Sequence, residues 1–148
     1  MTPAELRSFL ASSATAVLAT IDRDGTPWTD LVAYRLIGDR FHFRVPSGSR
    51  SWVNIQGDRR VCCTVEHSPA DSYYGIQGAL VHGEAVEPTF AERAEGVAAF
   101  DGLTDPVQPG GAGAVLLSIG LEDSTSVAFG KIRYRYENKS LAELAGGQ

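Results

Sequence analysis

The residues in this sequence best suited to chemistry lie together in Pro46-Ser47-Gly48-Ser49-Arg50. They form a small, hydroxyl-rich turn between an alternating segment, Phe41 to Val45, and a short helical one that opens at Ser49. The first N–H groups of a helix have no acceptor within it, and the helix dipole favours negative charge there. Ser47, Ser49 and Arg50 add side-chain donors at the same place. The chemistry this points to is the binding of a phosphate, such as that of a cofactor. A plainer reading of the same residues is open: Ser49 as an N-cap worth about 1 kcal/mol, and Arg50 as a solvated charge.

A second cationic group is Lys131, Arg133 and Arg135 in KIRYRY. A period of two puts the three charges on one strand face and Ile132, Tyr134 and Tyr136 on the other. They suit a solvent-facing strand, an anionic ligand or an acidic partner surface. Trp28 is a candidate rim aromatic on the second strand, where a flat heteroaromatic ring could lie against backbone groups. His42, His67 and His82 are far apart and no pair has metal-ligand spacing, so no metal site is expected. Adjacent Cys62 and Cys63 point to opposite strand faces, which disfavours a disulfide between them. They read as buried reduced thiols, in keeping with a cytoplasmic location. No nucleophile elbow, Walker loop or dinucleotide-binding glycine motif is present, and no catalytic side chain is assigned. A chain without a nucleophile or acid–base pair suits chemistry carried by a cofactor.

The elements that must position these residues follow from pattern and punctuation. Thr2-Pro3-Ala4-Glu5 opens a helix with a cap, a proline at the first position and a reciprocal glutamate. Thr15 to Ile21 is a buried strand, Asp24-Gly25 a tight turn, Pro27 to Ile37 a second strand and Arg40 to Val45 a third. After the Ser49 helix come strands at Arg60 to His67 and Tyr73 to Val86. The latter holds Gly75, Gly78 and Gly83, which mark bends where a sheet curls. Pro88-Thr89 starts another helix, with Phe90, Ala94, Val97, Ala98 and Phe100 at helical spacing as its apolar side. Asp101 to Gly113 is a loop. Ala114 to Leu121 and Thr125 to Tyr136 are strands, and Ser140 to Leu144 suits one helical turn. The expected fold is mainly β: a barrel of six to seven mostly antiparallel strands with two to three short flanking helices. Closure is expected because it removes exposed edges.

The chain has 148 residues, which suits a single domain over residues 1–148. Its net charge of −5 argues against nucleic-acid binding. No apolar run approaches the roughly 20 residues of a membrane span, and the N-terminus lacks the pattern of a secretory signal.

Four stretches carry a resemblance: TAVLATIDRDGTPW after the opening helix; YRLIGDRFHFRV; SRSWVNIQGDRRV; and YGIQGALVHGEAVEP before a helix. In order and spacing the chain resembles the pyridoxamine 5'-phosphate oxidase-like family, the flavin-binding split β-barrels, some of which use coenzyme F420. The resemblance implies a homodimer with cofactor sites at the subunit interface. It implies a phosphate at Ser47, Ser49, Arg50 and Asn54, and a ring along the second strand near Asp30, Leu31 and Val32. Lys131 and Arg133 are candidates for the partner's contribution. The chain departs from the family at Ser51, where a lysine is common, and at Val53, where an arginine is frequent. The expected function is an oxidoreductase moving a hydride between FMN or F420 and a small organic substrate. Two alternatives stand beside it: a non-catalytic cofactor or haem binder on the same fold, and a barrel whose cofactor site has decayed.

Overall fold

The computed structural model describes residues 1–68, 71, 75–101, 113–122, 124–128 and 139–140. The segment 102–112, the basic row at Lys131, Arg133 and Arg135, and the expected start of the fifth strand at Tyr73 lie outside these residues.

Helix α1 spans Pro3–Ala11. The Thr2 hydroxyl accepts from the Glu5 N–H (3.2 Å), and the Glu5 carboxylate accepts from the Thr2 N–H (2.7 Å). Leu6 and Leu10 bury its inner side. Strands β1 (Thr15–Ile21) and β2 (Pro27–Ile37) form a hairpin in which Ile21 faces Pro27 and Thr15 faces Ala33. Gly25, at φ +79°, supplies the left-handed turn conformation that only glycine adopts without strain. Strand β3 (Arg40–Pro46) continues the meander. It leads into helix α2 (Arg50–Gly57), which is followed by β4 (Arg60–His67), β5 (Gln77–Glu84) and helix α3 (Phe90–Ala99). Strand β6 (Ala114–Gly120) and the short β7 (Thr125–Ala128) and β8 (Lys139–Ser140) follow among the described residues.

The strands lie in one antiparallel sheet ordered β6-β3-β2-β1-β4-β5-β7-β8. The sheet curls until Val86, just past β5, bridges Ser118 of β6 through two hydrogen bonds of 2.8 and 3.0 Å. This contact partly closes the barrel. Gly83 lies beside the seam at φ +149°, and a Cβ there would stand 3.2 Å from Ile119. The bend expected at this glycine is therefore where the sheet turns toward β6.

The interior is built by alternation. Leu18, Tyr34, Phe41, Phe43, Val45, Cys63, Val65, Val81, Leu117 and Ile119 point inward and are buried. Tyr34 stacks on Phe41 with centroids 4.3 Å apart, and its hydroxyl donates to the Leu10 carbonyl at 2.5 Å. Ile55 of α2 enters the same core.

Three expectations are corrected. The apolar side read for α3 does not face the core: Phe90 is 96% and Val97 54% exposed, and Phe100, just beyond the helix, is buried against the Arg35 and Arg44 guanidinium groups rather than in the core cluster. The sheet surface beneath α3 carries Arg40 and His42, so the helix turns Glu92, Glu95 and Gly96 toward it instead. Ser140, expected to open a helical turn, instead lies in β8 opposite Thr125 of β7, and the rest of that expected turn, 141–144, lies outside the described residues. Cys63 is buried as expected and burial pushes its thiol pKa up, but Cys62 is only half-buried, because strand alternation points it away from the interior. Both thiols are free. Among the described residues no helix is long and apolar enough to cross a membrane, which says nothing of spanning by strands.

Candidate functional site

The site is assembled where α2 meets the β1–β2 hairpin. Pro46 ends β3, and the Ser47 N–H donates to the Gly113 carbonyl at 2.9 Å. Ser49 is the N-cap of α2, with extended backbone and a hydroxyl that accepts from the Trp52 N–H (3.2 Å) and donates to the Pro46 carbonyl (2.7 Å). The cap reading of Ser49 is thus correct. It leaves the N–H groups of Arg50 and Ser51 without an acceptor inside the helix.

Arg50 is the cation of this corner. Its guanidinium pairs with the Asp22 carboxylate in the β1–β2 turn and lies 4.5 Å from the centroid of the Trp28 ring. The pair is asymmetric: the Arg50 side chain is 50% exposed and that of Asp22 18%. The Asp24 N–H donates to Asp22 at 3.1 Å. That bond, and then the bond from Arg50, hold the Asp22 carboxyl below the usual carboxylate range.

Ser51 is buried, and its hydroxyl donates to the Asp30 carboxylate. The Trp28 indole N–H donates to the same carboxylate at 3.0 Å. Asn54 is buried too, its side-chain amide donating to the Thr20 hydroxyl at 3.1 Å. The polar side of α2 therefore faces inward with its groups paired, as buried polar groups must be.

Beside this network lies a cleft of about 640 Å³, lined by Ile21, Asp22, Arg23, Asp24, Arg50, Val53, Asn54, Gly57 and Asp58. Three carboxylates and two guanidinium groups give its wall one excess negative charge. Asp58 is hydrogen-bonded by Arg60, which holds its carboxyl down to about 2.

Of the residues expected to bind a phosphate, Arg50 and Asn54 line the cleft, Ser49 caps the helix that forms its wall, and Ser47 is exposed at the turn. The three expected ring contacts are split by strand alternation. Asp30 is tied to Ser51, Val32 is buried in the core, and Leu31 points outward, 70% exposed. A ring along β2 would accordingly meet backbone and one face only. Lys131 and Arg133 lie outside the described residues. Sequence reasoning missed Asp22 and the inward role of Ser51. Asp22 was visible only as part of a hairpin turn, and no local signal ties it to an arginine 28 positions later.

None of the three histidines lines the cleft. His42 is buried under α3 beside a smaller cavity of about 330 Å³ that it shares with Arg40, Glu92 and Glu95. Burial pushes its pKa down. His67 and His82 are exposed. Among the described residues no group of three His, Cys, Asp or Glu side chains could hold a metal ion.

A partly closed antiparallel barrel with flanking helices is the architecture of the split β-barrels. The sequence profile of the pyridoxamine 5'-phosphate oxidase family matches residues 2–103, and the chain belongs to that family. No curated relative matches the sequence. Solved structures resemble the fold over most of the chain. A haem-binding protein from Mycobacterium smegmatis superposes with a TM-score of 0.77 at 22% identity, covering 97% of this chain. The chain spans only 60% of that protein's length. A conserved hypothetical protein from Mycobacterium tuberculosis gives 0.71 at 26% identity over 95% of this chain and 92% of its own. A FAD-binding protein from Mesorhizobium loti gives 0.71 at 20% identity over 85% and 94%.

Proposed function

We propose that the chain binds a flavin or deazaflavin cofactor, FMN or coenzyme F420, in the cleft beside α2 and serves as an oxidoreductase acting on a small organic substrate. The observation that carries this reading is Arg50: a half-exposed guanidinium at a helix start, stacked on Trp28 at the edge of a cleft, in a chain of this family. The residues present fit one phosphate charge. Arg50 offers a donor fork, and the N–H groups of Arg50 and Ser51 add dipoles of the right sign. When bound, the cofactor supplies hydride-transfer chemistry. The chain's own residues bind and orient. Trp28 holds the guanidinium from one side, and the bond from Ser51 to Asp30 fixes α2 against β2.

The working unit we propose is a homodimer. On the outer face of the sheet, Leu31 stands opposite Val17, Val17 opposite Thr64, and Ala19 opposite Cys62. Leu31 and Val17 are exposed, an apolar area that suits a second copy.

Titration with FMN and with F420 separately, followed by fluorescence, tests the reading. Saturable binding of one of them tighter than about 100 μM, or some 5.5 kcal/mol, is expected. Arg50→Ala is expected to weaken it by about 1.5–3 kcal/mol, the worth of a hydrogen bond to a charged group. No binding of either cofactor sinks the proposal, and a monomer by light scattering sinks the dimer. A second reading, haem binding, takes its support from the Mycobacterium smegmatis neighbour. It requires a Soret band on haem addition that one His→Ala variant abolishes.

A further inference from the structure

The group facing Arg50 is itself an anion. The Asp22 carboxylate is held by two donors, the Asp24 N–H on one oxygen and the Arg50 guanidinium on the other. It is the less exposed member of the pair and is tied to its own turn by the Asp24 N–H. Asp24 and Asp58 line the same cleft. Ser51, which could have supplied a second cation had it been lysine, is buried and bonded to Asp30. A phosphate that reaches Arg50 must therefore share or displace a donor already given to Asp22, and it does so beside like charge. That repulsion grows with the charge the phosphate carries.

We infer that Asp22 is a built-in competitor for Arg50 that sets the charge this cleft accepts, tolerating a singly charged phosphate diester better than a doubly charged monoester. The inference rests on the reading that the cleft holds a phosphate-bearing cofactor. With Asp22 neutral, Arg50 is released and the carboxylate repulsion at that point is gone. The wall then changes from one excess negative charge to none.

The test compares the wild-type protein with Asp22→Asn, an isosteric change that keeps an acceptor for the Asp24 N–H. Three probes are titrated: riboflavin without phosphate, FMN with its doubly charged monoester, and the methyl ester of FMN, a singly charged diester. Asp22→Asn is expected to tighten FMN about fivefold, the upper range for an exposed charge pair. It is expected to tighten the FMN methyl ester less and to leave riboflavin unchanged. Equal changes for FMN and riboflavin, or no change for FMN, overturn the inference while the cofactor reading stands. If neither protein binds any of the three probes or F420, both fall. Asp22→Ser, checked like Asp22→Asn for a wild-type circular dichroism spectrum, repeats the comparison if the first variant does not fold.

Discussion

Helices α2 and α3 are of similar length and each starts on a hydroxyl cap, yet they bury opposite kinds of surface. Helix α2 puts Ser51, Asn54 and Ile55 inward and leaves Val53 63% exposed. Within α3 only Gly96 is buried, while Phe90 and Val97 face outward. The difference comes from what each helix meets. At the end of the barrel α2 meets Thr20 and Asp30, which need polar partners, and an apolar hole that Ile55 fills. On the outer face of β3, α3 meets Arg40 and His42, and its approach is set by Gly96, where a Cβ would stand 2.6 Å from Leu116. A helix's own apolar pattern is thus a weak guide when the surface receiving it is polar.

The comparison can be broken first at Ile55. Replacing it with alanine leaves a cavity in the shared core, and urea unfolding should show a loss of about 2–5 kcal/mol. A loss below about 1 kcal/mol would mean that α2 does not depend on this anchor.

The α3 side is sharpened by pH. His42 is 3% exposed, faced by Arg40 of its own strand and by Glu92 and Glu95 of α3, and burial lowers its pKa from 6.5. The unfolded chain then takes up the proton more readily than the folded one. The contribution is fully present above about 6.5 and is lost as pH falls below that toward the folded value. Unfolding midpoints between pH 7.5 and 5.5 should fall more in the wild type than in His42→Gln. Equal falls would remove His42 as the cause.

The smallest effect is expected at the outward stripe. Phe90→Ser should change stability by no more than about 0.5 kcal/mol, since the side chain is 96% exposed. A larger loss would show that this surface is covered in solution.

Much of the fold was legible because its signals are local. Thr2 and Glu5 mark a helix start within four residues, and Asp24-Gly25 marks a hairpin between two alternating runs. The observed β1, β2 and β4 have the expected boundaries. The candidate site was legible only in part. Arg50 and Asn54 were found through the turn and the family resemblance, and both line the cleft. Strand parity could have separated Leu31 from Asp30 and Val32, because neighbours on a strand point to opposite faces. Asp22, Trp28 and Ser51 became partners of the site only through long-range contacts.

By itself the sequence determined where most elements begin and end and the presence of an arginine at the start of α2. Caps, turns and period-two alternation act over a few residues, so they can be read in a line. Only the tertiary structure decided which side of α3 faces the sheet, that Ser51 serves the interior, and that Arg50 already holds an anion. Those outcomes depend on which charges and hydroxyls the closing barrel brings together, and a charge such as Asp22 finds its partner through space.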